Sequence, residues 1–264
     1  MKRQDYSEEI VAQLIYNYET LRQPLSKIGE QYGIKRGVAK RILQEHNIHI
    51  RTNGEAHRKY EPNKTFFSNE SADMAYVLGF IAADGSISKD SNRIKIGLSA
   101  KDIEQLELIK KIMKINYPIK LYTNKDNFEI AELVWTCEQH KKDLAKYGVI
   151  PKKTYTFKFP INLSKEYWVD FIRGYFDGDG SITGLKPEWK ICSYRIDILQ
   201  TINTFFEENG ITLSTIHKRK GQNLYDLRYA SKNNLIKIYN LLYYNKDVPC
   251  MLRKRQKFES YKMI

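Results

Sequence analysis

A motif that occurs twice constrains this chain of 264 residues more than any other feature. The stretch YVLGFIAADGSI runs from Tyr76 to Ile87, and FIRGYFDGDGSI runs from Phe171 to Ile182, so the copies lie 95 residues apart. The same register relates residues beyond the motif: Lys95, Ile96, Asp102, Ile103 and Gln105 recur as Lys190, Ile191, Asp197, Ile198 and Gln200. Such a persistent register indicates one structural unit that is built twice.

The two repeats predict the same order of secondary structure. A helix leads into each motif, and RIKIGLS and WKICSY then favour strands, the first with the alternation of a half-buried strand. Next come amphipathic helices (DIEQLELIKKIMK and DILQTINTFFEENG), paired strands (IKLYT with FEIAELVWT, TLSTIHK with LYDLRYA) and closing helices (EQHKKDLAKYG and KNNLIKIYNLL). This α-β-β-α-β-β-α order predicts an α+β fold of two pseudo-symmetric units with antiparallel sheets, which we place at residues 69–155 and 156–264.

Small residues within the motif predict that its two helices pack against each other. Gly79 and Ala83 are four residues apart, as are Gly174 and Gly178, and residues at this spacing share one helix face. Two such faces can pack main chain against main chain.

The acid that ends each copy indicates a metal site. Pairing the helices would bring Asp84 and Asp179 together at both carboxyl ends, where the helix dipoles and mutual repulsion disfavour them. Cations would neutralise this arrangement, and hard oxygen ligands suit Mg²⁺. Metal-bound carboxylates beside a phosphodiester permit metal-assisted hydrolysis. The alternative is that each aspartate only caps an Asp-Gly turn, but the doubled motif favours the metal site.

Residues 1–49 predict a small helical DNA-binding unit. In LSKIGEQYGIKRGVAKRILQEH, Ser26 is the predicted N-cap of one helix and Gly33 suits a turn with positive φ. Lys35 to His46 then form the predicted recognition helix of a helix-turn-helix, whose basic outer residues are Lys35, Arg36, Lys40 and Arg41. A plain helical hairpin with a solvated basic face is the alternative. Residues 50–68, which include Arg51, are polar and basic and predict an extended linker. This linker either lies along DNA or only connects the helical unit to the first repeat.

The charge of the chain indicates a polyanionic partner. Forty-four Lys and Arg against 31 Asp and Glu give a formal net charge of +13, and the first candidate for such a surface is a nucleic-acid backbone. The sequence shows no apolar run of membrane-spanning length, and we expect no secretory leader. Its three widely spaced cysteines indicate neither a disulfide framework nor a metal site. We therefore expect reduced thiols, no membrane partner and a cytoplasmic or organellar location.

The segments VLGFIAADG and IRGYFDGDG resemble the two motifs of a single-chain LAGLIDADG homing endonuclease, and the resemblance covers the chain from about Asn69 onward. It implies that Asp84 and Asp179, with Gly85 and Gly180 beside them, bind Mg²⁺ or Mn²⁺, and that Ca²⁺ binds without supporting cleavage. It also implies a monomer whose two saddle-shaped sheets lie over the major groove of a long double-stranded DNA target. Cleavage across the minor groove would leave four-base 3′ overhangs.

The resemblance further suggests residues for binding and catalysis. Candidate DNA contacts on the predicted sheets are Arg93, Lys95, Lys120, Tyr122, Lys190, His217, Lys218, Arg219, Lys220, Tyr225 and Arg228. Lys232 is a candidate catalytic lysine, and in the 95-residue register Cys137 stands opposite it. The first acid of the motif is Asp177 in the second copy but Ala82 in the first, and we expect this difference to have little effect.

Two other functions remain open on the same fold. A transcription regulator would bind DNA without cutting and would be expected to lose the metal acids, which are present here. An intron maturase would bind structured RNA in preference to duplex DNA at matched salt.

Overall fold

The computed structural model describes residues 6–21, 23–52, 60–182 and 187–260. The chain divides into two compact units, Met1–Lys59 and Tyr60–Ile264. Within the described part of the chain, no helix is long and apolar enough to cross a membrane.

The first unit is built from helices α1 (Glu8–Glu19), α2 (Leu25–Gln31) and α3 (Arg36–Glu45). Its core contains Leu14 from α1, Ile28 from α2, and Ala39 and Leu43 from α3, so each helix turns one face toward the core. The turn between α2 and α3 contains Gly33 at a φ of +65°, as the sequence predicts. The predicted N-cap is wrong, because Pro24 precedes α2 and Ser26 lies inside it.

The predicted linker over residues 50–68 is too long at both ends. Arg51 belongs to the first unit, where its main-chain N–H donates to the Tyr18 hydroxyl at 2.7 Å and its guanidinium to the Gln23 carbonyl at 2.8 Å. In the second unit Phe67 is buried, and Tyr60 packs against the same core. Hydrogen bonds therefore hold one end of this basic segment in the first unit, and aromatic side chains hold the other end in the core of the second. Residues 53–59 lie outside the described ranges.

The second unit repeats one series of elements. Its first half comprises α4 (Ala72–Asp84), β1 (Gly85–Ile87), β2 (Arg93–Ser99), α5 (Ile103–Met113), β3 (Ile119–Thr123), β4 (Glu129–Thr136) and α6 (Glu138–Lys146). Its second half comprises α7 (Trp168–Asp179), β5 (Gly180–Ile182), β6 (Trp189–Ser193), α8 (Ile196–Glu208), β7 (Ile216–Lys218), β8 (Tyr225–Tyr229) and α9 (Lys232–Leu242), followed by α10 (Leu252–Glu259). The predicted α+β class and element order are confirmed.

Each half of the second unit contains an antiparallel sheet, with strand orders β1-β2-β4-β3 and β5-β6-β8-β7. Alternation along β2 buries Ile94, Ile96 and Leu98 and leaves the intervening residues on the opposite face, which we call the outer face. The buried faces and the α4–α7 pair share one hydrophobic core, so the two halves form one compact unit.

The spacing of the repeat changes within the sheets. Gly85 pairs with Ile96 and Gly180 with Ile191, which keeps the offset of 95 residues. In β4 and β8 the offset becomes 94, because Ile94 pairs with Trp135 and Trp189 with Tyr229. One residue of difference in the intervening loops is enough to shift every later correspondence.

Candidate active site

The α4–α7 pair brings the two copies of the motif together. A Cβ built at Gly174 would overlap the Tyr76 carbonyl oxygen and lie 3.0 Å from Phe80 N. One at Gly79 would overlap the Phe171 carbonyl oxygen in the same way. Farther along the pair, Gly178 faces Ala83, whose Cβ occupies the space that a side chain at Gly178 would need. The helices therefore touch through their main chains, as the spacing of these small residues predicts.

Asp84 and Asp179 are the last residues of α4 and α7. Each is followed by a glycine that begins a strand. A Cβ at Gly178 would lie 3.2 Å from Asp84 Oδ2, which shows that the Asp84 carboxylate reaches the partner helix. Asp179 opens onto a cavity of about 280 Å³ that Lys153, Tyr175 and Cys192 also line.

Both carboxyl groups are harder to ionise than an ordinary aspartate. Burial raises the pKa of Asp84, although Lys254 and Lys153 act in the opposite direction. Burial, followed by the charge of Asp84, raises the pKa of Asp179 to about 6. The structure thus holds two like charges close together in a partly desolvated place, the situation that a bound cation relieves.

Within the described ranges, two buried lysines donate to the carboxyl ends of this helix pair. Lys153 Nζ donates to the carbonyl oxygens of Gly85 at 2.7 Å and Ala83 at 3.4 Å. Lys254 Nζ donates to those of Asp177 and Gly180, each at 2.6 Å. Burial lowers the pKa of Lys254 to about 8. Each half of the unit therefore supplies one ammonium group beside the carboxylates.

The sequence contains a signal for this lysine pair. Each lysine follows a proline, in VIPKK and in VPCMLRK, shortly after the helix that closes its repeat. The two lysines are 101 residues apart, however, and a register of 95 does not align them.

Lys232, the predicted catalytic lysine, lies elsewhere. It is the exposed first residue of α9, behind the N-cap Ser231. Cys137 is the N-cap of α6 and therefore corresponds to Ser231. The prediction that Cys137 occupies the position of Lys232 is wrong, because the offset between the two halves is already 94 residues at this point of the repeat.

The proposed metal ligands divide into two groups. The carboxylates of Asp84 and Asp179 suit a hard divalent cation that completes its shell with water and substrate oxygens. The carbonyl oxygens of Gly85 and Gly180 do not suit a metal ion. Each already accepts a hydrogen bond from a lysine ammonium group, whose positive charge would repel the metal. Among residues 6–21, 23–52, 60–182 and 187–260, no cluster of three or more His, Cys, Asp or Glu forms an alternative cage.

Asp177 has a larger structural role than the sequence indicates. Its Oδ2 is fully buried and accepts hydrogen bonds from the Tyr76 hydroxyl at 2.8 Å and from Met251 N at 2.6 Å. Met251 is the N-cap of α10, the helix that carries Lys254. One turn earlier on α7, the buried guanidinium of Arg173 donates to the Pro249 carbonyl at 2.8 Å. These polar contacts hold the segment before Lys254, whereas Ala82 at the first-half position corresponding to Asp177 can form no such contacts.

The predicted DNA contacts occupy several places. Arg93, Lys95, Lys120 and Tyr122 lie on the outer face of the first sheet, and Lys190, His217 and Arg228 lie on that of the second. Arg219 and Lys220 follow β7 in the hairpin turn. Lys218 and Tyr225 pair with each other on the opposite face, where Tyr225 packs against the core, so they do not share the outer face with the other candidates. In the first unit Lys35, Arg36, Lys40 and Arg41 are exposed, whereas Arg51 is engaged as described above.

The raised pKa of Asp179 predicts how the metal-free protein responds to pH. Because its folded-state pKa of about 6 exceeds the ordinary value of 3.8, stability falls as pH rises between these values and stays lower above them. Above the raised pKa and without divalent ions, we expect Asp179→Asn to increase the free energy of unfolding by about 1 kcal/mol. This figure is discounted from the pKa difference because solvent reaches the side chain.

Urea unfolding above and below the two pKa values measures this effect. The increase in the free energy of unfolding should vanish below the ordinary pKa, where residue 179 is neutral in both wild type and variant. It should also become smaller when Mg²⁺ is added, because the ion would stabilise the wild type. Asp126→Asn, at an exposed aspartate in the β3–β4 turn, is the matched control and should have no effect. Equal stability of wild type and Asp179→Asn above the raised pKa would contradict the prediction.

Comparison with known proteins agrees with this architecture. Residues 166–242, which span most of the second half of the repeat, match the model of the LAGLIDADG-like domain family. A curated protein of Methanocaldococcus jannaschii, described as uncharacterised, is 25% identical over 213 residues, which are 75% of this chain and 72% of that protein.

Two solved structures align with this chain, and the first shows the same fold. The I-LtrWI LAGLIDADG homing endonuclease bound to target DNA aligns with 76% of this chain and 90% of its own, at 15% identity and a TM-score of 0.50. The N-terminal LAGLIDADG domain of WhiA aligns with 68% of this chain and 87% of its own, at 16% identity and a TM-score of 0.45.

Proposed function

We propose that this protein is a site-specific, metal-dependent DNA endonuclease. The observation that carries the proposal is the pair Asp84 and Asp179 at the touching ends of α4 and α7, with Lys153 and Lys254 beside them. A phosphodiester is cleaved by groups that activate water and stabilise charge on the leaving oxygen. Two carboxylates and two ammonium groups, one of each from either half, match the requirement of cutting two strands.

Asp84 and Asp179 are the residues that would hold Mg²⁺ or Mn²⁺. When bound, such an ion lowers the pKa of a water molecule and stabilises the leaving oxygen. The raised carboxyl pKa values favour this role, since binding a cation relieves the repulsion between the two groups. Ca²⁺ would bind the same oxygens and would not support cleavage.

Lys153 and Lys254 would stabilise the phosphate being cleaved. Their ammonium groups are buried beside the carboxylates and hydrogen-bond to main-chain carbonyls that could be exchanged for phosphate oxygens. A lysine whose pKa is lowered to about 8 can also donate a proton to a leaving oxygen near neutral pH.

Double-stranded DNA is the partner that the charge distribution favours. The formal net charge is +13, and basic side chains line the outer face of both sheets. In the first unit, considered alone, the Gly33 turn joins α2 to α3, and α3 has an exposed basic face. We also propose that these elements act as a helix-turn-helix that binds DNA.

The decisive experiment is incubation of the protein and Mg²⁺ with a library of duplexes carrying a randomised site, followed by sequencing of the cut ends. We expect a defined target to be enriched and cleavage to leave four-base 3′ overhangs. Cut ends without any sequence preference, or no cut ends in the presence of either Mg²⁺ or Mn²⁺, would overturn the proposed function.

The position of the buried lysines makes a separate prediction. Replacing Lys153 or Lys254 with methionine should slow cleavage by about a hundredfold, because a positioned proton donor or cation is lost. Lys232→Met should cleave at the wild-type rate, since Lys232 is exposed at the start of α9. Single-turnover rates on the selected target measure both effects, with thermal unfolding as a control for folding. If Lys232→Met slowed cleavage and the Lys153 and Lys254 variants cleaved at the wild-type rate, Lys232 would again be the catalytic candidate.

A second candidate function is a DNA-binding regulator that does not cut. It is favoured by the same two lysines, whose ammonium groups already compensate part of the carboxylate charge without any metal. The two functions differ in one measurement: a regulator binds its target duplex but does not nick a plasmid carrying that target in Mg²⁺.

A further inference from the structure

The outer face of each sheet contains one acidic residue that a DNA-binding surface would not be expected to retain. Glu132 on β4 and Asp226 on β8 are buried although they point to the outer faces. Glu132 pairs across the ladder with Gly97, and Asp226 pairs with Cys192, so the two acids occupy the same position in the two halves. A carboxylate among basic groups repels phosphate and weakens sequence-independent DNA binding.

In the first sheet, predicted DNA contacts converge on the acid. Lys95 Nζ lies 3.0 Å from Glu132 Oε1, and Arg93 Nη2 lies 3.7 Å from Oε2. The Tyr122 hydroxyl donates to Oε1 at 3.2 Å, and Lys120 lies directly across the ladder from Glu132. One carboxylate thus restrains side chains from the two strands that flank β4.

In the second sheet, Asp226 holds two arginines. Arg219 donates to it through Nε at 2.9 Å and Nη2 at 2.8 Å, a bidentate arrangement, and Arg228 Nη2 donates at 2.6 Å. Burial alone would raise the pKa of Asp226, but the two guanidinium groups lower it to about 2. Asp226 is therefore ionised throughout the physiological range, and its arginines have fixed orientations.

This geometry suits the reading of bases rather than phosphates. Arginine reads guanine through O6 and N7 only when its guanidinium plane is correctly aligned, and acidic side chains accept hydrogen bonds from the cytosine amino group. A side chain that is already held by a carboxylate loses less conformational entropy on binding. The same carboxylate excludes phosphate from the centre of the face.

We propose that Glu132 and Asp226 are specificity-determining positioning residues, each of which orients the basic side chains of its own sheet toward base edges. The proposal rests on the proposed binding of duplex DNA by these sheets and assigns each half of the target to one carboxylate. It predicts that Glu132 and Asp226 affect different, non-overlapping base positions.

The test is a binding selection on a randomised duplex library in Ca²⁺, with the full-length protein and no requirement for cleavage. Relative to wild type, Glu132→Gln should lower discrimination by about tenfold at one set of base positions, and Asp226→Asn at another. Both variants should bind a duplex of unrelated sequence more tightly and with a steeper salt dependence, because each removes one negative charge from the face.

Two further variants make the test specific. Arg219→Gln removes the bidentate partner but leaves the carboxylate, and it should relax the same positions as Asp226→Asn. Glu129→Gln removes an exposed acid from the same strand as Glu132 but from the opposite face of the sheet, and it should leave base preference unchanged. Thermal unfolding of each variant verifies that the fold is retained.

The outcomes separate this inference from the proposed function. If wild type enriches a sequence and both acid variants enrich it with the same discrimination at every position, the positioning role is wrong and the proposed function stands. A uniform loss at all positions would also overturn the positioning role, since it would indicate general damage. A wild-type protein that enriches no sequence would overturn both.

Discussion

Asp84→Asn and Asp179→Asn are each expected to lower the rate of double-strand cleavage by about a thousandfold or more, because each removes a proposed metal ligand and with it a stabilisation of several kcal/mol. Asparagine preserves the shape of the side chain at the helix end but removes the charge that would hold the cation. The two carboxylates lie at the contact of α4 and α7, so loss of either disturbs a shared centre. Duplex binding should persist, since it depends on basic groups elsewhere.

Strand-resolved single-turnover assays on the selected target measure this prediction, with binding in Ca²⁺ followed separately. Asp126→Asn, in the exposed β3–β4 turn, is again the control and should cleave normally. Cleavage of both strands by either motif variant at the wild-type rate would show that the carboxylates have no catalytic role. Loss of both binding and cleavage would instead indicate a structural role.

Gly174→Ala is expected to destabilise the second unit by about 3 kcal/mol or more, near the upper end for overpacking of a core. The added methyl group would overlap the Tyr76 carbonyl oxygen and approach Phe80 N at 3.0 Å, and both are main-chain atoms of α4 that no rotamer change can move. The helices would have to separate. Gly79→Ala should behave in the same way, because it meets the Phe171 carbonyl oxygen.

Urea unfolding gives the size of this effect, and Gly97→Ala is the matched control. Gly97 lies in β2 of the same unit, and a Cβ there meets nothing within 4 Å. We expect the control to unfold within about 1 kcal/mol of wild type. Separation of the helices should also weaken Mg²⁺ binding, since it would pull Asp84 and Asp179 apart. Wild-type stability of Gly174→Ala would contradict the close main-chain contact.

Local patterns predicted the secondary structure of the second unit well. The alternation in RIKIGLS corresponds to β2, with Ile94, Ile96 and Leu98 buried, and KNNLIKIYNLL coincides with α9. Such features depend on neighbours within a few residues, which the sequence displays directly. Predictions that required a register over longer distances were less successful, because loops of unequal length change the offset between the halves from 95 to 94 and, at the buried lysines, to 101.

The sequence also did not predict which face of a sheet each side chain occupies or which side chains pair across strands. Lys218 in β7 and Tyr225 in β8 resemble Arg228 as candidate DNA contacts, but strand pairing places both on the face opposite Arg228. Glu132 and Asp226 have no distinguishing sequence pattern. Their partners come from adjacent strands, and only the folded sheets bring these groups within hydrogen-bonding distance.

The sequence alone predicted the doubled α+β unit, the contact of two helices along faces of small residues, and the aspartate at the end of each. Those predictions follow from spacing within single elements and from the 95-residue register that relates the two copies of the motif. The tertiary structure decided which lysines lie beside the aspartates, that Asp177 anchors the segment carrying Lys254, and that a carboxylate organises each outer face. These contacts join residues that are distant in the chain, and their geometry depends on loop lengths and on burial that exist only in the folded protein.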